Sequence, residues 1–547
     1  MLTRDTYKEL EEAVGQEHVS QEPAVLDGYA WQPTYNDSPV KWVIRPEAVV
    51  LPKTTEEVQA IVKACNRHGL KFKAFSTGWG VWNGPTTEGV ILLDLCRMNS
   101  ILEIDDKNML AVVEPYVCGA QLQAEAMKVG LNTHIIGAGP NCSPLAAATS
   151  MAGVGWDGIY MSHSARNVLG VEWVLPNGEL LRLGTLGSGA GWFCGDGPGP
   201  SLRGIMRGYV GAQSGLGVFT KCAIKLFHWP GPQQMKLDGL LFDARADLPK
   251  NVKFYLCFFP NMSSLSHAVY RIGNAEIGYN AFRIALGAYL FLGMPRLYRK
   301  LLKTKALRAL FEEVFKYCWE IMLVADSEQE MEFQERVLRE IVSEAKGLPL
   351  DMMLAPPLGS MLLMNVLRST IPPLAFRIGG LFGSALPRND AWDSQANWAE
   401  VSEGIKKEWV EKGGIMDDMI DNPFMVNYEH NAWAHCEEVF LYDAKNQKHL
   451  ESLESVYMDF TIAAIEQCME SMMGFNPRIR KLISPLAGNY NRWQKAISQT
   501  LDPNAAADAG LYTGEEDFDF SRMDPDKRKR LEGLLDKHKW PESTPPR

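Results

Sequence analysis

The chain has 547 residues, 46% hydrophobic and 22% charged, with a formal net charge of −11 at neutral pH. This length exceeds one ordinary core and predicts two or three domains, while the apolar content excludes a disordered chain. The acidic balance, without a long basic block, excludes a general nucleic-acid binder, because phosphate affinity needs clustered Lys and Arg.

Ten cysteines are scattered without a CxxC pair, so neither a zinc ribbon nor a dithiol redox centre is indicated and no metal is expected. Their dispersal suits a reducing compartment. The polar start MLTRDTYKELEEAVGQE lacks the apolar core of a secretory signal. No apolar run reaches about 18 residues. A cytoplasmic protein without a spanning helix is therefore expected.

Residues 1–40 read as a helix followed by an irregular arm with Pro23, Pro33 and Pro39. VVLP (49–52) reads as a strand and TTEEVQAIVKACNRHG (54–69) as a helix. That helix has Thr54 or Thr55 as N-cap, Glu56 and Glu57 in the first turn and Gly69 as its stop. Val58, Ile61, Val62 and Cys65 recur at the spacing of a buried stripe. KFKAFS, VILLDL (90–95) and LAVVEP (110–115) follow as strands, and a second amphipathic helix runs from Gly119 to Gly130. Near 231 the texture changes. Segments 235–270 and 431–445 look strand-bearing, and the Met-, Leu- and Phe-rich stretch between them reads as mostly helical. Within it, 284–315 joins an apolar half to a basic amphipathic half. This fits a core helix followed by a solvated one, or a patch against a membrane or an apolar channel. The stretch 352–376 is broken by paired prolines and cannot be one helix. Past 470 a helix ends in TLDPN (500–504), and the last thirty or so residues read as a wrapping or disordered tail.

Four segments of the first half carry chemistry. FSTGWGVWNGP (75–85) is a Gly-rich loop directly after a strand, and such loops turn backbone N–H groups into an anion-binding concavity. It is neither a P-loop nor a GxGxxG fingerprint. GAGPNCSPLAAATSMAGVGWDG (137–158) is small-residue over some twenty positions, which permits close approach to a planar ligand or simply a tightly packed loop. HSARNVLGVEWVLPNGELLRLG (163–184) holds a hairpin turned at PNGE. GAQSGLGVFTKCAIKL (211–226) is a Gly-rich turn feeding an alternating strand.

Each segment is ambiguous singly, but their order and spacing closely resemble the FAD-binding half of the vanillyl-alcohol oxidase and p-cresol methylhydroxylase superfamily. The resemblance spans roughly 45–228 and recurs weakly at 431–504. It rests on RPEAVVLPKTTEEVQAIVKACNRHG, the first Gly-rich loop, VILLDL with MNSILEID, AVVEPYV, NVLGVEWVLPNGELLR and QSGLGVFTK. It implies an α+β chain: a two-subdomain FAD-binding domain with an N-terminal arm (1–230), an α+β substrate or cap domain (231–470), and a segment (471–547) that returns to the FAD domain and ends in a polar tail. By the same resemblance Ser76, Thr77, Gly78, Trp79 and Gly80 wrap the FAD pyrophosphate, and Pro115 and Val117 lie on the nucleotide. Thr149, Ser150, Ala152, Gly153 and His163 line the flavin, and Gly215, Gly217 and Val218 approach the adenine side.

The loop STGWGVWNG and the turn Gln213-Ser214 are closer to the phenol-oxidising branch than to the 2-hydroxy-acid branch. That branch transfers a hydride from a benzylic carbon to flavin N5, and its active-site carboxylate has a counterpart in Asp157, although the stretch from Thr149 to Tyr160 is shorter here. His435, in WAHCEEVFLYDAKN, stands where some relatives attach the flavin covalently; a hydrogen-bonded structural histidine is the plain alternative. Arg478 and Arg480 are candidates for neutralising a phenolate or carboxylate, or are two surface arginines. The expected substrate is a 4-substituted phenol or another aromatic or hydrophobic alcohol. The alternatives are a D-lactate- or glycolate-type dehydrogenase on the same fold, and an electron-relay flavoprotein subunit. Relatives suggest a homodimer, with oxygen or an electron-acceptor protein reoxidising the flavin.

Overall fold

The first half folds as a β/α unit because short apolar runs alternate with well-capped helices. The computed structural model describes residues 2–30, 44–78, 84–151, 153–184, 189, 191, 201–206, 211–239, 245–247, 249–283, isolated positions between 296 and 313, 315–369, 382–418, 422–443, 445–469, 477–514 and 517–539. The helix Thr55–His68 starts on the Thr54 hydroxyl, which accepts the Glu57 N–H, and stops at Gly69 in the left-handed region. Its stripe of Val58, Ile61, Val62 and Cys65 is buried against a four-stranded sheet. Ala48–Val50, Val90–Asp94 and Lys71–Phe75 run parallel in that sheet, with Val19–Ser20 antiparallel at one edge.

A five-stranded antiparallel sheet follows, in the order Ile101–Asp105, Leu110–Val113, Val218–Lys225, Val168–Val174, Leu180–Leu183. Its last pair is the hairpin expected at PNGE, closed by the Leu175 N–H donating to the Glu179 carbonyl at 2.9 Å.

The middle of the chain holds more helix than strand between 271 and 430 among the described residues, as expected, and adds strands that the sequence reading did not place. It builds a seven-stranded antiparallel sheet in the order Leu348–Asp351, Val252–Phe258, Cys318–Val324, Asn280–Arg283, Phe424–Tyr428, Trp433–Leu441, Phe382–Ala385. CWEIMLV is buried along its whole length, Glu320 included, so its apolar residues show no period that separates strand from core helix. One sheet face, with Trp319, Ile321 and Met425, packs on the helices Met262–Asn274, Glu328–Glu344, Trp392–Glu411 and Gln447–Glu466. The other, with Phe282, Met322, Phe424, Val426 and Tyr428, packs on Met127, Trp156, Met161 and Phe227 of the first half. One apolar layer therefore joins the two halves. Pro356 and Pro357 open the helix Pro356–Arg368 rather than interrupting one, a position where a missing N–H costs nothing. Most of 284–315 and all of 370–381 lie outside the described residues.

The C-terminal part touches both halves. The Phe72 N–H donates to the Ala506 carbonyl at 2.8 Å and the Asp508 N–H to the Phe72 carbonyl at 2.9 Å, a parallel bridge on the open edge of the first sheet. Beneath it Lys73 and Asp508, both buried, stand 3.6 Å apart. Burial presses the Lys73 ammonium below its ordinary pKa, and Asp508 offsets part of that. The Asp508 carboxylate also accepts the Thr86 N–H at 2.7 Å and the Thr86 hydroxyl. Farther on, Pro525–His538 is a helix whose Leu531 is buried in the core of the cap, so the expected tail wraps as a docked helix. No helix among the described residues is long and apolar enough to cross a membrane.

Asp508→Ala leaves Lys73 buried without its counter-charge and is expected to destabilise the protein by about 3–5 kcal/mol, with Lys73→Met in the same chain recovering part of the loss. Urea unfolding of the three variants, followed by far-UV circular dichroism, measures both effects.

Candidate active site

Four loops meet where the two sheets of the first half converge. After the strand Lys71–Phe75, the Ser76 hydroxyl donates to the Pro115 carbonyl, and the Thr77 hydroxyl accepts the Ser143 N–H at 3.1 Å. Gly78 follows in the left-handed region at φ 70°. Ser143 in turn caps the helix Pro144–Thr149. At that helix's end the Thr149 carbonyl accepts the Ala212 N–H at 3.0 Å, and the Ser150 carbonyl accepts the Gln213 N–H at 2.9 Å. The Ser214 hydroxyl reaches back to the Ala74 carbonyl at 3.4 Å, which closes the ring of loops. The turn 211–217 needs its glycines: Gly217 has φ 104°, and a Cβ there would strike the Val174 carbonyl.

The ring thus brings together Ser76, Thr77, Gly78, Pro115, Thr149, Ser150, Gly215 and Gly217, with Val218 opening the next strand. Val117 is fully buried in the apolar core beside them. Trp79, Gly80 and Ala152 lie outside the described residues.

Gln213 tests whether this ring fits a cofactor. Its side-chain oxygen accepts from Arg480 at 2.8 Å, which turns the amide nitrogen the other way. That nitrogen is buried and donates to nothing among the described residues. A buried donor left unmet is costly, and an acceptor on a bound nucleotide would meet it. The residues fit FAD.

Arg480 itself departs from expectation. It is fully buried, not a surface residue. Its guanidinium also donates to the carbonyls of Leu511 and Tyr512, and burial presses its pKa below the ordinary value. Through its two terminal nitrogens it therefore clasps the C-terminal segment to the Gln213 turn. Arg478 lies on the same helix, Pro477–Ile483, and its side chain is outside the described residues.

On the side expected to face the flavin, Asp157 is buried and both carboxylate oxygens are engaged. One faces Nδ1 of His134, and the other accepts the Ile135 N–H at 2.8 Å. His134 Nε2 lies 3.1 Å from the Gly153 carbonyl. Asp157, expected as the counterpart of an active-site carboxylate, is thus held by protein donors on this side. His163 presents its ring edge-on to Trp433 at 5.0 Å and to Tyr428 at 6.2 Å, and those two rings stack at 4.0 Å. They are cross-strand partners on the cap sheet.

His435 pairs with Val426 in the same ladder, so it shares the sheet face turned to the first half, whereas Cys436 belongs to the opposite, helix-covered core. The His435 ring is fully buried, with Nδ1 2.8 Å from the Asn389 side-chain oxygen and Nε2 3.8 Å from Glu437. Glu320, also fully buried, pairs with Phe282 and Leu256 and so stands on that face too.

His134, Glu320, Tyr428 and Trp433 escaped the sequence reading. Period-two alternation in WAHCEEVFL carries a signal for Trp433 beside His435; nothing local marks His134, whose partner is 23 residues away. No group of His, Cys, Asp and Glu able to hold a metal occurs among the described residues.

Residues 46–184 match the FAD binding domain family. The glycolate oxidase subunit GlcD of Bacillus subtilis is 28% identical over 43% of this chain and 47% of that protein. The flavoprotein subunit of the hydroxylating 4-cresol dehydrogenase of Pseudomonas putida is 31% identical over 37% of this chain and 39% of its own length. The aligned parts therefore span less than half of these curated relatives. A crystal structure of p-cresol methylhydroxylase with substrate bound superposes with a TM-score of 0.73 at 18% identity, covering 94% of this chain and 99% of that one. Residues 46–184 thus form an FAD binding domain, on a fold that the chain shares with p-cresol methylhydroxylase.

Proposed function

We propose that the protein is an FAD-dependent oxidoreductase acting on an aromatic or hydrophobic substrate, with 4-substituted phenols and aromatic alcohols as the class. The carrying observation is the aromatic cap face: Tyr428 and Trp433 stack on each other, with His163 edge-on to both. Phe282, Met322 and Phe424 extend that apolar surface. Flat rings with an apolar surround favour a flat, apolar ligand.

A 2-hydroxy acid, the substrate class suggested by the glycolate oxidase relative, calls for a cationic clamp on its carboxylate. The fully buried arginines Arg283 and Arg480 serve other partners. Arg283 donates to the Lys316 carbonyl and the Asn422 side chain, and Arg480 to Gln213, Leu511 and Tyr512.

When bound, FAD supplies the hydride acceptor. The chain's own residues do the rest. Ser76, Thr77, Gly78 and the 211–217 turn hold the nucleotide, and the Gln213 amide donates to it. Gly153 and His163 border the ring system. The aromatic cap face excludes water and orients the substrate. Glu320, Asn280 and His435 are polar groups set among apolar neighbours on that face. We further read the protein as cytoplasmic, from its dispersed cysteines and polar start, and, on the strength of the family resemblance, as a homodimer reoxidised by oxygen or a carrier protein.

Anaerobic addition of 4-alkylphenols and aromatic alcohols is expected to bleach the flavin absorption, while D-lactate and glycolate leave it unchanged; bleaching by the hydroxy acids alone would sink this reading. Arg480→Met and Arg480→Lys both lose the forked clasp. Each is expected to weaken FAD binding about tenfold or more, since hydrogen bonds to charged groups are worth about 1.5–3 kcal/mol, as read by fluorescence titration of the deflavinated protein. With its ring buried between Asn389 and Glu437, His435 is read as a positioning side chain and not an attachment point. Acid precipitation is therefore expected to release all flavin to the supernatant, and a fluorescent protein band on a denaturing gel would show the opposite.

A further inference from the structure

We propose that His134 is a positioning residue for the flavin: held as a cation between Asp157 and the Gly153 carbonyl, it fixes the loop 153–157 against which the cofactor lies. The inference rests on the reading that FAD borders Gly153.

Its protonation state follows from its neighbours. A carbonyl only accepts, so the Nε2 atom 3.1 Å from the Gly153 carbonyl carries a hydrogen. The Asp157 carboxylate already accepts the Ile135 N–H at 2.8 Å through one oxygen, and its other oxygen faces Nδ1, which therefore carries a hydrogen too. Both ring nitrogens donate, and the ring is an imidazolium paired with a carboxylate. Burial opposes this charge, but Asp157 and the Gly153 carbonyl outweigh it and raise the His134 pKa above its ordinary value. The other titratable groups nearby, Tyr279 and Tyr160, have hydroxyls pushed up by burial. They stay neutral across the range in which a histidine titrates.

The geometry makes this cation a mould for the loop. The Gly153 carbonyl also accepts the Ser164 N–H at 3.0 Å, so its peptide plane is fixed from two sides. Peptide planarity then sends the Val154 N–H away from His134, and that N–H donates to nothing among the described residues. On the same loop Gly155 lies directly over the ring, where a Cβ would strike His134 Cε1 and the Ile135 carbonyl. The loop cannot shift toward His134, and the two hydrogen bonds prevent it from lifting off. A backbone donor of a half-buried residue is thereby presented at a fixed angle on the side expected to line the flavin.

The proposal separates from a merely structural role through pH. In the wild type Asp157 and the Gly153 carbonyl hold the second proton of His134 to higher pH than in an ordinary histidine, so the bound-flavin spectrum is expected to stay flat through the range in which a free histidine titrates. Asp157→Asn removes the counter-charge; burial then pushes His134 below its ordinary pKa of about 6.5. Rising pH strips the second proton, and the loop loses one tether. The expected result is a pH-dependent shift of the flavin absorption in Asp157→Asn that vanishes in the double variant with His134→Gln. His134→Gln alone is expected to weaken FAD binding about tenfold and to give a shifted but pH-independent spectrum.

Nitrogen-15 NMR of the wild-type histidines, recorded with and without FAD, tests the charge directly and needs no variant to fold. A neutral His134 ring near neutral pH overturns the inference, as does an Asp157→Asn flavin spectrum without pH dependence. A wild-type protein that takes up no FAD overturns the underlying reading as well, so the two failures are distinguishable.

Discussion

The short segment from Asp157 to Met161 is the constraint on which the site depends, because it belongs to the first half yet is bonded to the cap. The Gly158 carbonyl accepts the Glu429 N–H at 3.1 Å and the Ile159 carbonyl accepts the His430 N–H at 2.9 Å. Glu429 and His430 form the tip of the cap hairpin and both have positive φ, a conformation that costs of order 1–3 kcal/mol per residue and persists only when its surroundings enforce it. Here they do. The Glu429 carboxylate takes a two-pronged contact from Arg166 and a third from the Ser162 hydroxyl, and a Cβ on Gly158 would strike near the Tyr428 ring. The hairpin tip is therefore locked to the segment that carries Asp157 at one end and leads into His163 at the other. The aromatic cap face inherits its position from those bonds.

A second closure joins the ends of the chain. Residues 506–508 extend the first sheet at Phe72, and Arg480 ties the Gln213 turn to Leu511 and Tyr512. The ring of loops read as holding the nucleotide is thus completed by residues more than 200 positions beyond the end of the contiguous FAD-binding region. The entropic cost of such a long closure grows only slowly with loop length, whereas an unsatisfied guanidinium or buried lysine costs far more. An isolated fragment 1–230 would keep both sheets of the first half but would leave Lys73 without Asp508 and Gln213 without Arg480. The resemblance that fades after 228 and returns near 431 follows the same path through space: out into the cap and back.

The legible parts were those in which one local rule decides. Thr54, the stripe from Val58 to Cys65, and Gly69 delimit the helix they predict; PNGE turns its hairpin; the Gly-rich loops hold glycines where φ is positive or a Cβ has no room. In the seven-stranded sheet, Val252–Phe258 and Trp433–Leu441 fall in segments expected to bear strands, whereas a strand such as Cys318–Val324, buried on both faces, lacks the alternation that would name it. Individual side chains were harder still. Asp157 was picked out by its place in a resemblance and Arg480 as a cation that could neutralise an anion, and neither ground says what the side chain faces. Each proved to be engaged by a partner that sequence proximity does not offer: His134 for Asp157, and Gln213 with two late carbonyls for Arg480.

These engagements bear on how the proposed site would choose its substrate. With Arg480 engaged by the C-terminal segment and the Gln213 turn, the sheet face offers aromatic surface interrupted by polar side chains that include Asn280, Glu320 and His435. An apolar surface discriminates weakly, by about 1–3 kcal/mol per methylene, whereas a buried polar group left unmatched rejects a ligand strongly. On the proposed reading, shape would then admit a family of ring-bearing molecules, and the polar atoms set among Phe282, Leu256 and Val426 would decide which end of each ring points toward the loop at Gly153. Selectivity of that kind is broad in size and narrow in orientation, and orientation is what hydride transfer to a fixed cofactor requires.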